Sequence, residues 1–282
     1  MSRFRIVLQA YGLDEVRVGA LYAAWSALAY AEGAPLAIHV YTDEPGFFAP
    51  LGDALVLREL SRDDISAWRG PLDFTHRLKA VMIREMTRRH PADPLLYLDA
   101  DTFFAAPVGP VFERITPSTS VMHEREYSVA TRDSGQIQRF RKHMGRLSFR
   151  GAPVDLGGDM WNAGAVGIHP SNFPVVDSWL EFIDTLYPSY RRGLVEQYGI
   201  SLLLQRSTAV SPCADEVFHY WAQKDEYCEA IRRELDLLRG LGLAESLRHL
   251  RERRIALPPP ARRRHKQSML DRVRRALGMI AS

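Results

Sequence analysis

A pair of acidic residues closes an apolar segment in the first half of the chain. Residues 94–99, Pro-Leu-Leu-Tyr-Leu-Asp, predict a short buried strand ending at Asp99, and Asp101 follows after Ala100. In an extended chain alternate side chains point the same way, so both carboxylates would face one side. They would repel unless a proton or cation separated them, and their hard oxygen atoms suit Mg²⁺ or Mn²⁺. The pattern predicts a metal site able to share its ion with a diphosphate; the alternative is a solvated turn, where aspartate is common.

A second group of residues has the chemistry of a sugar-binding segment. Asn162 offers a carboxamide with both donors and an acceptor, which suits sugar hydroxyl groups. Ala163 and Gly164 follow it and would let the backbone approach a ligand closely. The alternative is a buried strand that uses small residues for packing.

Two further motifs lie downstream. Glu196 and Gln197 begin a predicted helix, where a negative charge is favoured, and an ordinary first helical turn is the alternative. His219 is followed five positions later by Lys224. Neutral imidazole is a good transition-metal ligand and lysine is a point charge suited to phosphate, although a histidine among aromatic residues is also common in a core.

The order of these motifs resembles that of the family-eight retaining glycosyltransferases, the glycogenin and lipopolysaccharide galactosyltransferase type. That family has Asp-x-Asp after a strand, then Asn-Ala/Ser-Gly, then Asp-Gln opening a helix, then His-x-x-Gly-x-x-Lys, and an Arg-Leu helix before the Asp-x-Asp. The segment His76-Arg77-Leu78-Lys79 matches that helix. The chain departs from the pattern where Gln9-Ala10-Tyr11-Gly12 replaces the family's base-binding segment, where Glu196 replaces aspartate and where Ala222 replaces glycine.

The resemblance implies a GT-A fold, a nucleotide-sugar donor (usually a UDP-sugar) and Mn²⁺ or Mg²⁺ as cofactor. Asp99, Asp101 and His219 would hold the metal. Gln197, Glu196 and Asp159 would form the catalytic group around the sugar. The donor would be bound by Gln9, Tyr11, Arg77, Lys79, Asp99, Ala100, Asn162, Ala163 and Lys224. The acceptor would be a glycan, a lipid-linked sugar or a protein.

Two other functions are compatible with the same residues. The departures at Gln9 to Gly12 and at Ala222 are also expected of a catalytically inactive protein that binds a nucleotide sugar or a partner on the same fold. A metal-dependent phosphoesterase uses Asp-x-Asp-x-Thr or Val after a strand, and Phe103 occupies that last position here.

The elements that would position these residues alternate between strand and helix. Predicted strands cover 5–10, 36–42, 55–60 and 94–99, and predicted helices cover 14–32, 75–89, 172–187, 195–205 and 226–254, the last interrupted near Gly240 and Gly242. This alternation predicts an α/β protein with a mostly parallel, mixed, Rossmann-like sheet, helices on both faces and a C-terminal helical extension. Ligands gather at the carboxyl ends of strands in such sheets. Residues 117–160 read as an irregular loop.

Composition and charge complete the expectation. With 282 residues and 46% hydrophobic residues the chain can bury a substantial core. We predict a transferase domain at 1–230, a helical segment at 231–257 and a basic tail at 258–282. From residue 251 onward ten basic residues stand against two acidic ones, which leaves an acidic body unlike a nucleic-acid-binding domain. Two cysteines and an N-terminus without a secretory pattern predict a cytoplasmic protein, with the tail either solvated or lying on the anionic inner face of the plasma membrane.

Overall fold

The computed structural model describes residues 3–252 and is built around a seven-stranded sheet. The strands are β1 (Phe4–Ala10), β2 (Leu36–Thr42), β3 (Leu55–Glu59), β4 (Leu95–Leu98), β5 (Thr102–Phe104), β6 (Thr119–Met122), β7 (Arg125–Ser128), β8 (Ser148–Phe149), β9 (Ala152–Pro153), β10 (Asp159–Trp161), β11 (Ala165–Ile168), β12 (Ala209–Pro212) and β13 (Val217–His219). The helices are α1 (Asp14–Ala29), α2 (Arg62–Arg69), α3 (Arg77–Arg89), α4 (Gly109–Glu113), α5 (Gly135–Met144), α6 (Pro174–Leu186), α7 (Leu194–Ser207), α8 (Lys224–Arg239) and α9 (Leu243–Glu252).

The large sheet is mixed but mostly parallel. Its order is β12-β6-β11-β4-β1-β2-β3, and β11 alone among these seven strands runs opposite to the others. The α/β class and the mostly parallel mixed sheet are therefore confirmed. Strand β4 lies near the middle, as expected for a segment that is apolar on both faces.

Both faces of the sheet are covered by helices, as the alternation of elements predicts. Ile6 and Leu8 of β1 pack on one side with residues of α1, α8 and α9, whereas Val7 packs on the other side with residues of α3, α6 and α7. This alternation follows from the pleat of the strand, which sends successive side chains to opposite faces. The sheet therefore carries two hydrophobic layers and leaves its strand ends open for a site.

The prediction of an irregular loop over residues 117–160 is wrong. This stretch contains strands β6 to β9, helix α5 and the start of β10. Phe140 of α5 packs edge-on against Tyr198 of α7, in a third apolar cluster that also holds Phe182. The strands here have two to four residues, too few to show a period-two pattern in the sequence.

The C-terminal helical extension is confirmed by α8 and α9. Helix α8 is followed by Gly240 and buries Ile231 and Leu235 in the layer that contains α1. The predicted domain boundary at residue 230 falls inside α8, and the division of the chain into domains remains a prediction. The basic tail at 258–282 and the last residues of the 231–257 segment lie outside the described residues. Within residues 3–252 no helix is long and apolar enough to cross a bilayer.

Candidate active site

The sheet register brings the first two motifs together. Strand β4 ends at Leu98, and the antiparallel strand β11 begins beside it, with Ala165 opposite Leu98. The residues after β4 and the residues before β11 therefore lie at the same edge, and the backbone N–H of Asp99 donates to the carbonyl of Gly164 at 2.8 Å. Asp-x-Asp and Asn-Ala-Gly thus form two sides of one site at the carboxyl end of β4.

A short antiparallel pair brings in His219. Strand β13 pairs with β5 so that His219 lies opposite Thr102, and the backbone N–H of Tyr220 donates to the carbonyl of Asp101 at 3.0 Å. This places Nε2 of His219 3.2 Å from Oδ1 of Asp101. Ligand atoms of Asp99, Asp101 and His219 all lie within 4.8 Å of one another, which is close enough for one metal ion to contact all three.

Two glycines permit the close packing of this site. A side chain at Gly164 would place its Cβ 2.3 Å from the His219 ring, and a side chain at Gly19 of α1 would place its Cβ 2.2 Å from the carbonyl oxygen of Ala100. Both distances are far below the 3.0 Å that non-bonded Cβ contacts in proteins essentially never go under, so any other residue would displace His219 or the backbone of Ala100. The glycine of the Asn-Ala-Gly motif therefore makes room for the imidazole of His219.

The donor set around Asp101 fits a divalent cation. Oδ1 of Asn162 lies 3.0 Å from Nδ1 of His219 and also accepts from the N–H of Gly164 at 2.9 Å, so Nδ1 must carry a proton. Nε2 then faces the Asp101 carboxylate with its lone pair, and the two repel unless a proton or a cation lies between them. Two carboxylates and an imidazole form a set that Mn²⁺ accepts readily, because it takes both oxygen and nitrogen ligands.

Each aspartate also binds a lysine. Nζ of Lys79 lies 3.1 Å from Oδ1 of Asp99, while Nζ of Lys224 lies 2.7 Å from Oδ2 of Asp101. Without a metal ion, a proton lies between His219 and Asp101. Burial disfavours the charge on Asp101, but the hydrogen bonds and positive charge of His219 and Lys224 more than offset it and hold the pKa of this carboxyl well below its usual range. Asp101 is therefore an anion ready to bind a cation.

A buried acid accompanies Lys79. Glu196 lies near the start of α7, with Oε1 3.5 Å from Nζ of Lys79. Burial raises the pKa of Glu196, and the positive charge of Lys79 offsets only part of this effect. Burial lowers the pKa of Lys79, but the charges of Asp99 and Glu196 outweigh it and raise that pKa overall. The lysine thus stays charged in the wall of the site.

A cavity of about 390 Å³ opens beside these groups. Most of the residues predicted for the site line it: Gln9, Lys79, Asp99, Ala100, Asp101, Asn162, Ala163, Glu196, Gln197, His219 and Lys224. Its size is that of a small-molecule site, and its walls are rich in groups that bind cations, phosphates and hydroxyls.

Three residues predicted for the site do not line this cavity. Arg77 binds Asp184 at 2.6 Å and borders a separate, smaller pocket. Because Lys79 follows Arg77 by two positions on α3, the two side chains point in very different directions, and only Lys79 faces the site. Asp159 binds Arg125 at 2.6 Å. Tyr11 is half-buried, and burial raises its pKa to about 12.

Other cavity residues were not anticipated from the sequence. Glu126 of β7 lies beside Asn162 and Gln197, and Trp221 and Cys228 also line the cavity. His123 packs edge-on against His219 behind the site, with ring centres 5.2 Å apart. The sequence pattern that could have pointed to Glu126 is the alternating charge of residues 124–126, Glu-Arg-Glu. The same pattern is typical of a strand exposed to solvent.

Comparison with protein-family models gives no match to this chain, and neither does comparison with curated proteins. Among solved structures, the chain is similar to mouse xyloside xylosyltransferase 1 in its apo form. The two share 14% sequence identity over 76% of this chain and 85% of that one, with a TM-score of 0.49. At this distance the similarity assigns no activity, which has to be argued from the residues of the cavity.

Proposed function

We propose that the chain is a metal-dependent glycosyltransferase that takes a hexose from a nucleotide-sugar donor, with UDP-sugars as the first candidates. The convergence of Asp99, Asp101 and His219 at the carboxyl end of β4 carries this proposal. These residues come from two distant segments, and β4 and the β5–β13 pair place them at the mouth of one polar cavity. A surface turn would not need an imidazole aimed at its carboxylate.

Mn²⁺ or Mg²⁺ held by this triad would neutralise the diphosphate and act as a Lewis acid towards the leaving group. Lys224 would supply a further positive charge there, since its side chain is 59% exposed and can move from Asp101 to a phosphate. Asn162 and Glu196, which also line the cavity, would bind hydroxyl groups of the sugar.

The stereochemical outcome follows from the resemblance to the family-eight enzymes, which retain the configuration of the sugar. Gln197 would lie beneath the anomeric carbon in this arrangement. A neutral carboxamide is too weak to act as a carboxylate nucleophile, so we propose that the leaving phosphate assists the acceptor on the same face. The acceptor itself, a glycan, a lipid-linked sugar or a protein, is not defined by the cavity.

Donor turnover tests the proposal. Purified protein should slowly hydrolyse one member of a panel of UDP-, GDP- and TDP-sugars in the presence of Mn²⁺, and chelation should stop the reaction. Asp101→Ala should lower the rate by about 100-fold or more and abolish Mn²⁺ binding measured by calorimetry, because it removes the central metal ligand. Asp53→Ala, at an exposed aspartate outside the cavity, is the matched control. Undiminished turnover in the Asp101→Ala variant would contradict the metal assignment.

A second candidate is a nucleotide-sugar-binding protein without transferase activity. The observation in its favour is that both carboxylates of the Asp-x-Asp motif already have a lysine partner. Donor binding with no turnover across the same panel would identify this function. The phosphoesterase alternative gains nothing from the structure, because Phe103 is buried in the apolar layer beside α1.

The cellular setting stays a prediction. The cytoplasmic location is predicted from the two cysteines and the N-terminal segment. Contact with an anionic membrane is predicted from the basic tail at 258–282, which lies outside the described residues.

A further inference from the structure

Glu126 connects two amide side chains of the cavity, those of Asn162 and Gln197. It lies on β7, which pairs with β10, and this pairing holds it beside the Asn-Ala-Gly segment. Its Oε1 accepts from Nδ2 of Asn162 at 3.0 Å, and its Oε2 accepts from Nε2 of Gln197 at 3.0 Å. One carboxylate therefore contacts both the wall that supports the metal site and the residue proposed to lie under the sugar.

The chemistry of a carboxylate fixes the direction of both amides. An ionised carboxylate has only acceptors, so each carboxamide must turn its NH₂ group towards Glu126 and its carbonyl oxygen away. Hydrogen bonds to a charged acceptor are stronger than those between neutral groups, and this difference makes the reversed orientation of either amide rare.

The two amides differ in what else holds them. The carbonyl oxygen of Asn162 also accepts from the N–H of Gly164, and it faces Nδ1 of His219. The carbonyl oxygen of Gln197 accepts no hydrogen bond from any residue between 3 and 252, and it is not sealed inside the protein. Asn162 therefore has a second restraint, whereas the orientation of Gln197 depends on Glu126.

We propose that Glu126 is a positioning residue that turns the carbonyl oxygen of Gln197 into the cavity, and that it also supports the Asn162 contact to His219. The effect of this orientation on activity rests on the proposed function. In a glycosyltransferase, an oxygen directed at the sugar carbon stabilises the positive charge that develops there as the leaving group departs. Glu126 acts through Gln197 and does not itself have to touch the substrate.

The Glu126→Gln variant should affect the two amides differently. The new carboxamide has one acceptor and one donor, so it can satisfy Asn162 and Gln197 together only if one of them reverses. Asn162 is restrained by Gly164, so Gln197 should reverse and present its NH₂ group to the cavity. We expect a turnover rate about 10- to 100-fold lower, an unchanged KM for the donor and Mn²⁺ affinity within about twofold of the original.

A compensating change provides the rescue. In the double variant Glu126→Gln with Gln197→Glu, the carboxylate introduced at position 197 accepts from the carboxamide introduced at position 126 with one oxygen and offers the other to the cavity. Turnover should recover by about tenfold over Glu126→Gln alone. Gln197→Glu alone places two carboxylates side by side and should lower stability in urea unfolding, which the double variant should restore. Glu124→Gln, at an exposed glutamate two positions earlier outside the cavity, is the matched control.

A measurement on the metal-free protein separates this inference from the proposed function. Side-chain amide protons of Asn162 and Gln197 should exchange slowly with water in NMR spectra, with signals assigned from Asn162→Asp and Gln197→Glu. In Glu126→Gln only the Gln197 signals should lose protection. Fast exchange of Gln197 in the original protein, or failure of the double variant to recover turnover, would overturn the inference. The expected spectra in a protein that neither binds Mn²⁺ nor turns over donor would instead overturn the proposed function.

Discussion

Lys79 and Lys224 each bind one carboxylate of the Asp-x-Asp motif, but their surroundings differ. The inner pair, Lys79 with Asp99, is enclosed: the lysine side chain is 5% exposed, and it also donates to the carbonyl of Ala163 and approaches Glu196. The outer pair, Lys224 with Asp101, is open, with the lysine 59% exposed at the start of α8. The inner lysine is part of the architecture, whereas the outer lysine occupies a position that another cation can take.

Removal of the inner lysine should have the largest effect on stability. Lys79→Met leaves Asp99 and Glu196 in the cavity wall without their shared cation, and breaking a buried pair in this way costs about 3–5 kcal/mol. Urea unfolding at neutral pH measures the loss. Lys224→Met is the matched control and should change the free energy of unfolding by less than about 1 kcal/mol. Similar losses in the two variants would contradict the distinction between the pairs.

Acid should lower the stability of the protein through its buried histidines, His39 and His123, the second of which lies behind the candidate site. Burial, followed by neighbouring histidine charge, lowers the pKa of His39 and of His123 to about 4. An unfolded histidine has a pKa of about 6.5, so the unfolded state binds more protons between these values. Stability is therefore fully present above pH ~6.5 and declines as the pH falls towards ~4, by about 2 kcal/mol for each histidine after allowance for solvent screening.

Unfolding in urea at pH 7.5 and pH 4.5 tests this. His123→Asn should show a decline smaller by about 2 kcal/mol than the original protein, while His169→Asn, at a partly exposed histidine, should show the original decline. An equal decline in all three proteins would show that His123 does not titrate as its burial requires. The Lys79→Met comparison should be made at pH 7.5, where both buried histidines are neutral.

Removal of the outer lysine should change stability least, and its main effect should be on the binding of Mn²⁺ and of nucleoside diphosphates. Lys224→Met removes a competitor from Asp101, so Mn²⁺ affinity without nucleotide should rise about two- to fivefold, in line with the worth of an exposed ion pair. Affinity for a nucleoside diphosphate in the presence of Mn²⁺ should fall about tenfold, because a phosphate partner is lost. Calorimetry measures both. A fall in Mn²⁺ affinity would show that Lys224 supports the metal site instead of competing with it.

Four strands of the central sheet, β1 to β4, could be predicted because they are long or continuously apolar. Segments such as 36–42 and 94–99 are buried on both faces, and they alternate along the sequence with segments that have helical periodicity. The strands of residues 117–160 are too short for this signal, and their burial depends on contacts with α6 and α7 that arise only in the folded chain. The residue missed there, Glu126, owes its position to pairing between β7 and β10.

Motif order anticipated many of the residues that line the cavity, but it did not give their geometry. Nothing local to His219 shows that β13 pairs with β5, although that pairing sets its distance to Asp101. The resemblance to a known family predicted that the motifs share one site, which hydrophobic periodicity alone could not predict. Arg77 shows the limit of that approach, because a residue matched in a motif still faces wherever its helix turns it, here towards Asp184.

The pairing of β5 with β13 also has a consequence for how the protein is made. Asp101 and His219 are separated by more than a hundred residues, and the segment between them supplies β6, β11 and the helices α6 and α7. Chains emerge from the ribosome amino end first and domains fold as their sequence becomes available. In a nascent chain Asp99 and Asp101 are therefore made well before the imidazole of His219 that would complete the proposed metal site. Under the proposed function, an ion could be held by all three ligands only after β13 has docked against β5, so metal loading would be a late event in the folding of each new molecule.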